Sequence, residues 1–186
     1  MPHPDSSSNR RMAEPAQPGI PSEVLGALYG GIVRQLIADL ENEQEVNAQL
    51  RKFGKNIGSR LVDEYLATTQ TTRCVDFRET ADKVATAGLK LFLNATASVS
   101  GWNAEGTACT IVIAGNPLTD FVKLPSELKS LEYNNIIAGA IEGALEMINC
   151  VVEVTCEKDV LRGDATTELR MVLVRNQAEE FPWKDD

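Results

Sequence analysis

The sequence predicts an α+β fold, a four-stranded antiparallel sheet packed against a helical layer. Two patterns carry this expectation. Apolar residues recur every 3.6 positions through three stretches before Asn94 and again from Ile136 to Ile148, the spacing of helices with one buried face. Between and after these stretches lie two pairs of short segments that alternate apolar with polar residues. A turn joins each pair, so each closes as an antiparallel hairpin. The resulting order is three helices, a hairpin, a helix and a second hairpin, with no strand–helix–strand crossover to build a parallel sheet.

With 186 residues the chain is sized for one domain with a real hydrophobic core. Residues 1–20 are rich in Ser, Pro and charge and hold almost nothing to bury, so they read as a disordered N-terminal tail. Residues 21–178 form the domain, and 179–186 an acidic C-terminal tail. Ser22 is the expected N-cap of the first helix, whose apolar residues are Val24, Leu25, Leu28, Ile32, Val33, Leu36, Ile37 and Leu40. Its Gly26, Gly30 and Gly31 each cost up to about 1 kcal/mol relative to alanine, a cost that close approach of another helix would offset.

The second helix is expected from Glu43 to Ala67. It holds glycines four apart, Gly54 and Gly58, and so does the helix of residues 136–148, at Gly139 and Gly143. Such spacing permits tight packing, inside the monomer or across a subunit seam, and fits both equally. The third helix begins at Asp76, where Glu79 three positions on completes a capping-box pattern. Its stripe is Phe77, Ala81, Val84, Ala85, Gly88, Leu89 and Phe92, and the small residues at its centre leave room beside the helix. The first hairpin pairs the segment around Ala97 and Val99 with Ala108–Ala114. Residues 117–130 are irregular, though Phe121, Val122 and Leu124 are too apolar to be wholly exposed. The second hairpin pairs Cys150–Glu157 with Glu168–Val174 through a turn at Arg162-Gly163-Asp164.

Composition removes several function classes. A formal net charge of -9 argues against nonspecific nucleic-acid binding, which draws its affinity from clustered Lys and Arg. The single histidine, His3, lies in the tail, and the cysteines at 74, 109, 150 and 156 form no C-x-x-C pair, so neither a metal site nor histidine-based catalysis is expected. No apolar run approaches the roughly 20 residues that cross a bilayer. A soluble, cytosolic protein with reduced thiols follows from this reading. Phosphate-binding glycine motifs and catalytic triads are absent from the sequence.

Cys74 is the one candidate for covalent chemistry. It follows Arg73 and precedes a helix start, where the cation and the unpaired N–H groups of the first turn would favour a thiolate. The competing reading, a small buried hydrophobe, fits Cys109, Cys150 and Cys156 better, because all three sit on expected strands.

Five blocks then carry a resemblance: Asn56-Ile57-Gly58-x-Arg60-Leu61; Arg73-Cys74-x-Asp76-Phe77-Arg78-Glu79-Thr80-Ala81-Asp82; Asn116-Pro117-Leu118-x-Asp120-Phe121-Val122-x-Leu124-Pro125; Gly143-Ala144-Leu145-Glu146-Met147; and Gly163-Asp164 followed by Thr167-Glu168-Leu169-Arg170-Met171. In this order, over about residues 20–176, they resemble the Bet-three family of subunits of the transport protein particle, TRAPP. The resemblance implies helix-mediated dimerisation. It implies heterodimers with related small TRAPP subunits in the complex and a homodimer when the chain is isolated. It implies a core subunit of a tethering complex that promotes nucleotide exchange on a Rab GTPase in transport from endoplasmic reticulum to Golgi. The subunit would be cytoplasmic and peripheral at those membranes, and not itself an enzyme beyond a single self-acylation.

The family also implies a covalent palmitate or similar fatty acyl thioester on Cys74, buried in a hydrophobic tunnel. Arg73, Ala81, Val84, Ala85 and Gly88 are the residues expected at that tunnel. The alternative from another class is an acyl-thioester enzyme or soluble acyl carrier that uses Cys74 as nucleophile. It would need repeated turnover, for which no histidine base is at hand.

Overall fold

The computed structural model describes residues 20–40, 42–69, 74 and 76–176. Among them run α1 (Ser22–Asp39), α2 (Glu43–Thr69), α3 (Phe77–Lys83), a π-helical turn (Val84–Gly88), α4 (Leu89–Leu93), β1 (Ala97–Ser100), β2 (Ala108–Ile113), α5 (Asn135–Met147), β3 (Cys150–Lys158), a 3-10 turn (Val160–Arg162) and β4 (Thr167–Asn176). The strands form one antiparallel sheet in the order β1-β2-β4-β3, so the two hairpins meet along the β2–β4 pairing. The four-stranded sheet and its helical cover are as the apolar patterning predicts. Both tail readings, Ile20 apart, lie outside the described residues.

Alternation along the strands sends Cys109, Ile111 and Ile113 of β2, Leu169 and Met171 of β4, and Val152 and Val154 of β3 into the core. Helix α5 lays Ile137, Ile141 and Leu145 over that face. Helix α2 then covers α5, and here the glycines act. A Cβ added at Gly54 would stand 2.8 Å from the Ala140 N, and one at Gly58 2.7 Å from the Ala140 carbonyl carbon. Gly143 meets the Lys55 Cα at 2.7 Å in the same way. The two glycine pairs that the spacing left open between monomer and seam therefore lock α2 to α5 within the monomer.

An ion pair bolts the same seam. Glu142, only 5% exposed, accepts from Arg51 Nε at 3.1 Å and from Arg51 Nη2, pairs with Lys55 Nζ at 3.3 Å, and accepts the Val154 backbone N–H at 2.9 Å. Its carboxylate thereby ties α2 and α5 to β3. Removing one partner of such a pair is more harmful than replacing the whole set, because a buried charge is left uncompensated.

Helix α1 departs from its expected description in two ways. Pro21 holds the cap position and Ser22 is the first helical residue; the Pro21 carbonyl accepts from Val24 N and Leu25 N, both at 3.1 Å, while Ser22 Oγ makes no cap bond. The second departure concerns its faces. Gly26, Tyr29 and Val33 are buried, whereas Val24, Leu28 and Ile32, read as part of an inward stripe, are exposed. The inward face instead runs through Leu25, Gly26, Tyr29, Val33, Leu36 and Ile37, and part of it rests on the loop before α5. Tyr29 donates to the Tyr133 carbonyl at 2.5 Å, their rings meet edge to face at 4.8 Å, and a Cβ at Gly26 would meet the Pro117 carbonyl at 3.4 Å.

The loop of residues 116–134 is held by its own asparagines, although Tyr133 Oη and Asn134 Nδ2 are buried without a partner among the described residues. Asn116 Nδ2 donates to Asn134 Oδ1 at 2.7 Å, and Asn116 Oδ1 accepts from Leu118 N at 3.1 Å. Val122 and Leu124 pack partly against the core, while Phe121 is 63% exposed and covers the Gly26 side of α1.

Candidate functional site: an apolar cavity beside Cys74

The chain arrives at Cys74, which is half-buried, and turns into α3 two residues later. Asp76 is extended, with φ -146, and its Oδ1 accepts the Glu79 N–H at 2.8 Å, the N-cap that the Asp76/Glu79 spacing predicts. Thr80 Oγ1 adds a bond to the Asp76 carbonyl at 2.9 Å. One turn on, Glu79 Oε1 pairs with Lys83 Nζ at 2.8 Å. Cys74 lies near enough to act on the same ammonium. Lys83 is held above its ordinary pKa, first by the hydrogen bond to Glu79 and further by the charges of Cys74 and Glu79, against an opposing desolvation.

The helix then loosens into the π-turn, where the Leu89 N–H bonds back to the Val84 carbonyl. Such single turns re-aim the residues that follow them and recur at functional sites. Ala81 and Ala85, both fully buried, pack into the core; Val84 and Gly88 turn to the other side. There they meet a cavity of about 460 Å³ bordered by α1, α2, the α3–α4 segment and α5 and partly open to solvent. Leu61 and Tyr65 of α2, Phe92 of α4, and Ile141 and Leu145 of α5 are among its walls. Its volume lies within the roughly 300–1,000 Å³ of small-molecule sites. A Cβ at Gly88 would find only the Lys83 carbonyl, at 3.7 Å, so the space beside that glycine is open.

Of the residues expected at a tunnel, Val84 and Gly88 line the cavity, Ala81 and Ala85 back onto the core, and Arg73 lies outside the described residues. Cys74 is outside this lining, and Lys83, on which Cys74 acts, is part of it. The expected stripe did not include Lys83. Its signal was the Glu79–Lys83 spacing of four, which places both on one helical face. The walls supplied by α2 and α5 were legible as apolar positions but not as a shared lining.

The remaining thiols are chemically quiet. Burial pushes Cys109 up to about 11 and Cys156 up to about 12, and raises Cys150 as well, so all three stay protonated at neutral pH. Among the described residues no group of side chains could hold a metal ion, and no helix is long and apolar enough to cross a membrane.

An antiparallel sheet covered by helices that border an apolar cavity defines an α+β scaffold. Within that class, the chain belongs to the family of transport protein particle (TRAPP) components, whose family model matches residues 25–172. It is 43% identical over 166 residues to the transport protein particle subunit bet3 of Schizosaccharomyces pombe, covering 89% of this chain and 90% of that one. It is 42% identical over 164 residues to the trafficking protein particle complex subunit 3 of Dictyostelium discoideum, covering 88% of each. Among solved structures, the trafficking protein particle complex subunit 3 from Naegleria fowleri, covalently bound to palmitic acid, superposes with a TM-score of 0.81 at 40% identity. That match covers 85% of this chain and 98% of the other.

Proposed function

We propose that this chain is a core, non-enzymatic subunit of a TRAPP tethering complex that promotes nucleotide exchange on a Rab GTPase in transport from endoplasmic reticulum to Golgi. In this reading it carries palmitate or a similar fatty acyl chain as a thioester on Cys74, with the chain in the cavity. The observation that carries it is an apolar space of about 460 Å³ lined by Lys83, Val84 and Gly88 of the helical segment that follows the half-buried Cys74. The palmitic acid bound covalently in the Naegleria fowleri relative supports it. Val84 and Gly88 give the chain its room, Ala81 and Ala85 let the helix sit close to the core behind it, and Arg73 is the residue before Cys74 in the sequence. Burial of a sixteen-carbon chain at about 0.8 kcal/mol per methylene sets an upper bound on the order of 12 kcal/mol. A chain held that way is structural and does not anchor the protein, so peripheral attachment to Golgi and endoplasmic reticulum membranes comes from partners and surface charge.

A partner surface borders the same space. Val24, Leu28 and Ile32 project from α1 at intervals of four, and Ile57 and Leu66 continue the exposed apolar face onto α2. This supports docking of a related small TRAPP subunit there, or of a second copy of the chain when it is isolated.

The acyl reading is tested on protein freshly purified from cells. Intact mass should exceed the sequence mass by one acyl group, hydroxylamine should remove it, and Cys74→Ser should never show it. An unmodified Cys74 would sink the proposal, and repeated release of product from an acyl-CoA would favour the acyl-thioester enzyme instead.

A further inference from the structure

Lys83 differs from everything else around the cavity. It is the one charged residue among the described residues that line this space. Its side chain is 27% exposed, its ammonium is positioned by the Glu79 carboxylate at 2.8 Å, and Cys74 is among the groups near enough to act on it. The cation thus marks the junction between the thiol and the apolar volume. A ligand with its chain in the cavity and its head at Cys74 must bring the oxygens of that head within reach of the ammonium, and charge-assisted hydrogen bonds are the strong ones.

We propose that Lys83 is the head-group anchor of the acyl site, binding the carbonyl oxygen of an incoming long-chain acyl thioester and stabilising the oxyanion as Cys74 is acylated. This rests on the acylation reading above. The Cys74 thiolate attacks the carbonyl carbon and forms the new C–S bond, and the carbonyl π electrons move to oxygen beside the ammonium. Collapse of that intermediate breaks the bond to the donor thiol, whose thiolate leaves and takes up a proton equivalent to the one Cys74 released to solvent. One thioester replaces another and nothing is oxidised or reduced. Glu79 keeps Lys83 in its ammonium form, so the amine offers no lone pair to capture the acyl group as an amide. The same anchor binds the carboxylate of an unesterified fatty acid.

The test uses the full chain, stripped with hydroxylamine and then given palmitoyl-CoA while intact mass is followed. Lys83→Met should acylate about a hundredfold more slowly than the wild type, the scale for loss of one oxyanion donor. Lys83→Arg should stay within about tenfold, since the charge is retained. A second measurement reads the head group without the reaction. In the Cys74→Ser background, Lys83→Met should weaken palmitic acid binding about tenfold, as expected for one lost charged hydrogen bond, and leave hexadecanol binding unchanged. If Lys83→Met does not fold, Lys83→Gln carries both measurements. Wild-type rates and an unchanged acid-to-alcohol preference in the variant would overturn the role of Lys83 while the acyl reading stands. Failure of the wild type to acylate, with neither ligand bound by Cys74→Ser, would overturn both.

Discussion

Helix α2 meets its two neighbours in opposite ways. Toward α5 it presents Gly54 and Gly58, and the backbones come so close that no Cβ fits between them. Toward α1 and the π-turn it presents Ile57, Leu61 and Tyr65, and a cavity remains. Small residues thus serve contrary ends: at the α5 seam they remove space, and at Gly88 they preserve it. A glycine in a helix is therefore not evidence of contact until its neighbour is known. Gly31 meets nothing within 4 Å, although it belongs to the same helical glycine pattern.

The largest effect should come from filling the closed seam. In an exposed helix, Gly→Ala stabilises by about 1 kcal/mol. Gly54→Ala should do the reverse and cost about 3 kcal/mol, because its Cβ would strike the α5 backbone at Ile136 and Ala140, which cannot swing aside as a side chain could. Urea unfolding with a lowered midpoint and an unchanged slope would show it. An unaltered midpoint would mean that the helices separate cheaply and that the seam is not the rigid half of the molecule.

The open side should respond differently to a much larger insertion. Gly88→Leu adds a whole side chain where only the Lys83 carbonyl lies within 4 Å, so the fold should survive and the cavity should not. The variant purified from cells should lack the acyl mass and melt no lower than deacylated wild type. Ala85→Leu, three residues earlier on the same helix, should instead overpack the core by about 1–3 kcal/mol, since Ala85 is wholly buried among core residues. Acylation retained in Gly88→Leu would remove the cavity from the proposed function.

This contrast shows how much could be read from the chain before its fold was known. The sheet, the antiparallel pairing within each hairpin and the helix starting after Asp76 were legible, because alternation, period and capping are local properties of neighbouring residues; the order that joins the hairpins through β2 and β4 was not. The spacing of Asp76 and Glu79 is realised as the N-cap of α3, in which the Asp76 side chain accepts the Glu79 N–H. The site was legible only in part. Cys74 and the small residues after it stood out in the sequence, but Ala85 and Gly88 share one expected stripe and end on opposite sides. The π-turn that holds both of them has no signal in a 3.6-residue period. The direction faced by α1 was equally hidden, since a stripe of Val24, Leu28 and Ile32 says that something apolar covers it without saying whether the cover belongs to the same chain.

That last ambiguity gives the smallest effect on the monomer and the sharpest test of the partner surface. Leu28 is 63% exposed, so Leu28→Glu should change the stability of an isolated monomer by no more than about 0.5 kcal/mol. At a subunit seam the same carboxylate would be buried without a partner, a cost that proteins avoid by not associating. Light scattering on the purified chain should therefore show a dimer for the wild type and a monomer for the variant, with superposable circular dichroism. A variant that still dimerises would move the seam away from α1. A wild type that is already monomeric would mean that the exposed stripe waits for a different subunit, and co-expression with a related small TRAPP subunit should then give a heterodimer that Leu28→Glu abolishes. In either case the α5 seam is untouched, because its glycines have already spent their surface inside the monomer.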